Sequence, residues 1–231
     1  MTAVRGAALR LEAVSRHHGG PGRGTVALDA VSCVVPAGSF TAVVGPSGSG
    51  KSTFLRCAAG LDRPTSGTVR IGSTDLGPLS EAALTRFRRD RIGFVFPSHA
   101  LNLVPSLNVE ENVVLPLVLA GADPADERVL ARGRELLARV GLAGRGGQDP
   151  AAFSGGEKQR VAVARALVTA PEVVFADEPT AALDPASAEL VLGLLEDAVR
   201  IDGRTVVMVT HDPVAAARAE TVLTMDGGRL R

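Results

Sequence analysis

The 231-residue chain sets 25 basic residues against 25 acidic ones and is 45% hydrophobic, a balance that excludes both an intrinsically disordered chain and a polybasic nucleic-acid surface. Any anionic ligand therefore has to be held locally. The first ten residues lack the apolar core of a signal peptide, and the most apolar later run, Val113 to Ala122, is short and interrupted by Pro116, so the chain is expected neither to span a membrane nor to leave the cytoplasm.

Alternation and β-branched runs predict strands over Leu9 to Val14, Leu28 to Val35 and Ser39 to Val44. The third strand ends in a Gly-rich turn and a helix from Lys51 to Ala59. A strand at Thr68 to Ile71, a charged helix from Glu81 to about Asp90 and a strand at Ile92 to Phe96 follow. From Val109 to about Leu167 the pattern is helical, with Asp123-Pro124 opening an amphipathic segment that runs to Val140 and Gly141 closing it. Beyond it, Val173 to Ala176 and Thr205 to Val209 are unbroken apolar runs, as expected of parallel strands covered on both faces, with a helix from Ala186 to Ile201 between them. A strand at Thr221 to Met225 meets the turn Asp226-Gly227-Gly228. The expected fold class is α/β: a mostly parallel core sheet, an antiparallel β portion near the N-terminus and an inserted helical subdomain. Cys33 and Cys57, both in apolar surroundings, read as buried free thiols of a reducing compartment.

Gly45, Pro46, Ser47, Gly48, Ser49, Gly50, Lys51 and Ser52 fit the phosphate-loop pattern G-x-x-x-x-G-K-[ST] and lie between a strand and a helix, the context that pattern requires. The glycines let backbone N–H groups and the helix N-terminus converge on phosphate oxygens, with Thr53 counted in the same cradle. Lys51 supplies a charge and Ser52 a hydroxyl for Mg²⁺. Lys51 and Lys158 are the only lysines among the 25 basic residues, the other 23 being arginine. A lysine kept against that preference points to a pocket too narrow for a planar guanidinium. At the exit of the next apolar strand, Asp177 is suited to hold Mg²⁺ through water, and Glu178 to orient or deprotonate an attacking water. Together these elements specify a nucleoside triphosphatase and no narrower class.

The stretch Phe153-Ser154-Gly155-Gly156-Glu157-Lys158-Gln159-Arg160 resembles the signature of ABC ATPases. With Ala181-Ala182-Leu183-Asp184 after Glu178 and Thr210-His211-Asp212 after the next strand, the order and spacing are similar to that family along essentially the whole chain. The resemblance implies a single P-loop NTPase domain over 1–231, with its core at about 1–96 and 168–231 and the helical subdomain at about 97–167. It implies ATP and Mg²⁺ as cofactors and head-to-tail closure of two such domains, as a homodimer or with a related ATPase subunit. Ser154, Gly155 and Gly156 would then meet the γ-phosphate from across the interface. Asp184 would lie in the loop joining the two sites, and His211 would hold the γ-phosphate and Glu178.

Val26-Ala27-Leu28-Asp29, Val95-Phe96, Asn102-Leu103-Val104-Pro105 and Glu111-Asn112-Val113 are similar to phrases of one branch, that of macrolide-exporter, lipoprotein-releasing and cell-division proteins. The implied function is an ATP-hydrolysing subunit that couples dimer closure to export or mechanotransmission by a separately encoded integral membrane permease. Its implied place is the inner face of the cell membrane, as a peripheral cytoplasmic protein that does not bind nucleic acid. The regulatory C-terminal extension of several importer branches is not expected here.

Three positions depart from the family pattern. The adenine-stacking aromatic is replaced by His17 or His18, with His18 the candidate, in a chain without Tyr or Trp. Pro97 stands where the family has Gln, with two additional residues before Asn102, and Ser98, His99 or Asn102 are the residues available to fill the gap. Ala181 replaces a commoner Ser. Pro97 supports one alternative, a regulatory module that binds ATP and hydrolyses it poorly. A soluble ABC ATPase of DNA repair or translation is a second alternative, disfavoured by the single cassette and the lack of heptads.

Overall fold

The computed structural model describes residues 6–19, 25–97 and 103–231. Ser98, His99 and Asn102 therefore lie outside the described residues. Strands β1 (Leu9–His18) and β2 (Thr25–Val35) open the fold, followed by β3 (Phe40–Val44), helix α1 (Lys51–Ala58), β4 (Ser66–Ile71) and the two-residue β5 (Thr74–Asp75). Next come α2 (Glu81–Arg91), β6 (Ile92–Val95), α3 (Val109–Leu119), α4 (Glu127–Arg139) and α5 (Gly155–Leu167). The chain then runs through β7 (Val173–Asp177), α6 (Pro185–Arg200), β8 (Thr205–Val209), the short α7 (Pro213–Ala216), β9 (Thr221–Asp226) and β10 (Arg229–Leu230).

Two sheets organise these elements. The first has four strands in the order β2-β1-β4-β5, all antiparallel. The second has six in the order β10-β9-β3-β8-β7-β6, parallel throughout except for β10. In β7 and β8 every residue is buried, as unbroken apolar runs require when both faces of a sheet are covered. Alternate side chains enter different cores. Val174, Ala176, Val206 and Met208 pack with α3, α5 and α6, whereas Val173, Phe175, Val207 and Val209 pack with α1, α2 and the antiparallel sheet. The helical segment shares the first of these cores, since Val113, Leu136, Leu137 and Phe153 belong to the same cluster as Phe40 and Val206.

The structure lengthens some expected elements and divides others. β1 continues to His18 because bulges carry it past Val14. Ala13 and Ala30 both take φ 48°, and their N–H groups donate to Ser32 Oγ and Ser15 Oγ at 2.8 and 2.9 Å. The region from Val109 to Leu167 is three helices with separate caps, at Asn108, Asp126 and Ser154. Both cysteines are free thiols, Cys57 buried as expected and Cys33 only half-buried. Burial pushes each thiol up to about 11. Among the described residues no helix is long and apolar enough to cross a membrane.

Asn112 ties the lobe to the segment that leads into it. It is fully buried, accepts from the Val104 N–H at 2.7 Å, and aims its amide at the carbonyls of Val104, Leu107 and Asn108, each at 3.0 Å. Asn112→Ala leaves the half-buried Val104 N–H and Leu107 carbonyl without this partner, and a loss of about 1–3 kcal/mol of stability is expected. Denaturant unfolding measures it, and a loss under about 0.5 kcal/mol, the ordinary surface range, would mean that the clamp does not matter.

Candidate functional site

The register of three neighbouring strands builds the site. Val43 of β3 and Asp177 of β7 both pair with Val209 of β8, so the carboxyl ends of these strands lie level. Main-chain bonds from Thr210 N–H to Val43 O (3.1 Å) and from Glu178 N–H to Val209 O (2.9 Å) fix the exits. The Gly-rich loop, the carboxylate pair and His211 thus emerge side by side at the carboxyl edge of a parallel sheet, where open α/β sheets hold ligands.

A pocket of about 560 Å³ lies there, walled by Gly45, Pro46, Ser47, Gly48, Gly50, Lys51, Ser52 and Thr53 on one side, by Thr25, Val26 and Ala27 on another, and by Glu178 and His211 opposite. The loop can take its path only with glycine at its last position. Gly50 has φ 102°, and a Cβ there would stand 2.3 Å from the Ala27 carbonyl oxygen. Lys51 is only 8% exposed, and its ammonium donates to the carbonyls of Gly45 (2.7 Å) and Pro46 (2.9 Å), which tightens the loop around its own lysine. Ser49 is buried behind the loop, its Oγ without a partner among the described residues.

Ser52 Oγ donates to Asp177 Oδ1 at 3.1 Å, joining the start of α1 to the end of β7. Burial pushes the Asp177 carboxyl above the usual carboxylate range. The Ser52 hydroxyl opposes that shift, and the neighbouring Glu178 charge adds to it. Two hard oxygen donors this close suit a small divalent cation that keeps several waters and phosphate oxygens as its other ligands. Among the described residues no group of three or more His, Cys, Asp or Glu gathers to hold a metal, so an all-protein cage is not what this site offers.

Glu178 takes φ 47°, a left-handed conformation that costs a non-glycine residue of order 1 kcal/mol and is favoured only where the surroundings enforce it. The turn aims its carboxylate at His211, whose Nδ1 lies 2.9 Å and whose backbone N 3.4 Å from Glu178 Oε2. The imidazole is exposed while the Glu178 side chain is mostly covered, leaving the ring free to meet a ligand on its other side.

The remaining predicted residues lie elsewhere. Ser154 caps α5 in a reciprocal capping box: its Oγ accepts from the Glu157 N–H at 3.2 Å, and Glu157 Oε2 accepts from the Ser154 N–H at 2.9 Å. Gly155 and Gly156 form the first turn, and none of the three lines the pocket. Asp184 caps α6, accepting from the Ser187 N–H at 3.0 Å. His17 and His18 are exposed at the end of β1, paired across the strand with Val26 and Thr25, and neither borders the pocket directly. Pro97 is exposed at the exit of β6. Sequence reasoning did not assign Thr25 and Val26 to the site. Val26 is 49% exposed at the mouth of the pocket, a tertiary feature that the sequence does not show.

Comparison with known proteins adds to this geometry. Residues 28–181 match the family profile described as ABC transporter. The chain is 48% identical over 204 residues to the macrolide export ATP-binding/permease protein MacB of Rhodospirillum rubrum, covering 88% of this chain and 31% of that protein. It is 45% identical over 223 residues to the lipoprotein-releasing system ATP-binding protein LolD of Chromohalobacter salexigens, covering 96% and 92%. The chain thus spans about a third of the first relative and most of the second. A solved dimeric ATP-binding cassette in a post-hydrolysis state with ADP and Pi superposes with a TM-score of 0.89 at 38% identity, covering 96% of each chain.

The contact between α5 and α6 can be tested directly. A Cβ on Gly156 would stand 2.3 Å from Ser187 Oγ and 2.6 Å from Ser187 Cβ. Gly156→Ala is expected to lower the melting temperature by several degrees, in line with overpacking penalties of about 1–3 kcal/mol. Ser187→Gly should restore it and Ser187→Ala should not, because the serine Cβ already blocks the space. Equal rescue by both would show that the hydroxyl alone sets the limit.

Proposed function

The chain belongs to the ABC transporter family, and on that premise we propose that its pocket binds ATP with Mg²⁺ and hydrolyses it when two copies, or this chain and a related ATPase subunit, close head to tail. The observation that carries this reading is the meeting in one pocket of the Lys51 loop, the Ser52–Asp177 contact and the Glu178–His211 contact. Lys51 and the loop N–H groups between Ser47 and Thr53 neutralise and orient the phosphates. Ser52 and Asp177 would hold Mg²⁺, which would supply positive charge to offset that of the phosphates. Glu178 accepts the proton of the attacking water, while His211, held by its Nδ1 contact, steadies that carboxylate and meets the γ-phosphate. The base rests at the hairpin end, against Val26 and His18.

The reading extends to Ser154, Gly155 and Gly156, which present the N-terminus of α5 to the γ-phosphate held by the other copy, and to Asp184, which holds the connecting loop. The work of the cycle is handed to a separate membrane permease in an exporter or lipoprotein-releasing assembly, with this chain on the inner face of the membrane. The macrolide-export and lipoprotein-releasing roles of the MacB and LolD relatives support that class. The division into a core at about 1–96 and 168–231 and a helical subdomain at about 97–167 is proposed as the mechanical partition of this cycle.

Glu178→Gln removes the base and keeps the pocket's shape, so with saturating ATP and Mg²⁺ the variant should accumulate as a dimer while the parent cycles. Light scattering distinguishes the two, and a variant that stays monomeric would sink the closure reading.

Pro97 has neither a side-chain oxygen nor an N–H to offer a metal or water. We expect slow basal turnover with ordinary ATP affinity, and a rise of about ten- to a hundredfold, the scale of a lost contact around a metal's ligands, on Pro97→Gln with the two extra residues removed. A parent already as fast as that repaired variant would show that position 97 is unimportant to the chemistry.

A further inference from the structure

The start of α5 carries a contradiction. The first turn of a helix attracts anions through its free N–H groups, yet Glu157 stands in that turn with its carboxylate bonded to the Ser154 N–H at 2.9 Å. The capping box that orders Ser154 therefore places a full negative charge beside the surface meant to receive a phosphate. That hydrogen bond, with Arg145 assisting, holds the Glu157 carboxyl below the usual carboxylate range, so the charge persists at neutral pH.

Arg145 resolves it. Its Nη1 makes an ion pair with Glu157 Oε1, its Nε donates to Gln148 Oε1 at 3.1 Å, and its guanidinium lies 4.1 Å over the ring of Phe153, the residue just before the cap. The loop between α4 and α5 thus delivers one guanidinium that cancels the carboxylate and stacks on the segment leading into Ser154.

We propose that Arg145 is a positioning residue of the trans half-site: by neutralising Glu157 it lets the capping box order Ser154 without repelling the γ-phosphate that a second copy brings to the N-terminus of α5. This rests on the reading that two copies close around ATP. It differs from a purely structural role in the sign of one effect. If Arg145 and Glu157 only hold the loop in shape, losing either weakens closure. If their charges matter, removing the cation exposes a repelling carboxylate, whereas removing the carboxylate's charge exposes an attracting guanidinium.

The experiment follows the ATP concentration for half-maximal dimerisation, by light scattering with Mg²⁺, with every variant in the Glu178→Gln background. Arg145→Ala should raise it about three- to tenfold and Glu157→Gln should lower it about two- to fivefold, the scale of one charge at a helix terminus. The double variant should return to within about twofold of the Glu178→Gln protein. Arg145→Lys, which keeps the charge and loses the planar stack, should also stay within about twofold. Raising salt should shrink all these differences. A Glu178→Gln protein that never dimerises overturns the closure reading and this proposal with it. One that dimerises while both single variants weaken, or while Arg145→Lys fails as badly as Arg145→Ala, overturns this proposal alone.

Discussion

The hydrogen-bonded register of β3, β8 and β7 is the constraint on which the site depends. Val209 pairs with Val43 on one side and with Asp177 on the other, so a slip of one residue in either ladder would turn every alternate side chain to the wrong core. That register is over-determined. Phe175, Val207 and Val209 are matched to one hydrophobic cluster, while Ala176, Val206 and Met208 are matched to the other. The polar groups at the strand ends inherit this precision, and the Ser52–Asp177 contact spans 125 residues of sequence without any local element joining its two halves.

Enforcement from both sides also explains the local strain. Glu178 is held at φ 47° directly after a fully buried strand, with its N–H committed to Val209 and its carbonyl accepting from the Ala181 N–H at 3.1 Å. A free loop would relax from that conformation. Here the turn fixes where the carboxylate points, and His211 receives it from the neighbouring strand exit. Lys51 shows the same economy: a buried ammonium is tolerable because two loop carbonyls accept from it, and the loop keeps its curl because the ammonium is there.

Much of this was legible in the sequence because the informative features are local. β7 and β8 are unbroken apolar runs, and the phosphate loop and the carboxylate pair are contiguous motifs bounded by those runs. What was illegible depends on contacts between distant residues. β1 runs on to His18 through bulges whose N–H groups are satisfied by serines of the opposite strand, and alternation fails where a bulge intervenes. The region from Val109 to Leu167 reads as helical with one segment set off between Asp123-Pro124 and Gly141, and its exact helix starts, capped by Asn108, Asp126 and Ser154, rest on side-chain bonds that the pattern of apolar residues does not show. Thr25 and Val26 enter the site only because β2 packs beside the loop, with the Ala27 carbonyl pressed against Gly50. Nothing in the composition of Thr25-Val26-Ala27 marks it as a wall.

The pocket and the first turn of α5 are separate on one chain, yet they are not mechanically independent. Asp184, seven residues after Asp177, caps α6 through the Ser187 N–H, and Ser187 occupies the space that a side chain at position 156 would need. On its other flank α5 reaches back to the first site, where the buried Gln159 amide donates to the Phe96 carbonyl at 3.3 Å, beside Pro97 and at the exit of β6. Two contacts thereby join α5 to the strand exits, one through the cap of α6 and one through Gln159. Packed contacts of this kind move as units because tight interiors do not deform continuously. The lobe that carries Ser154 therefore packs against the same strand ends that carry Asp177 and Glu178.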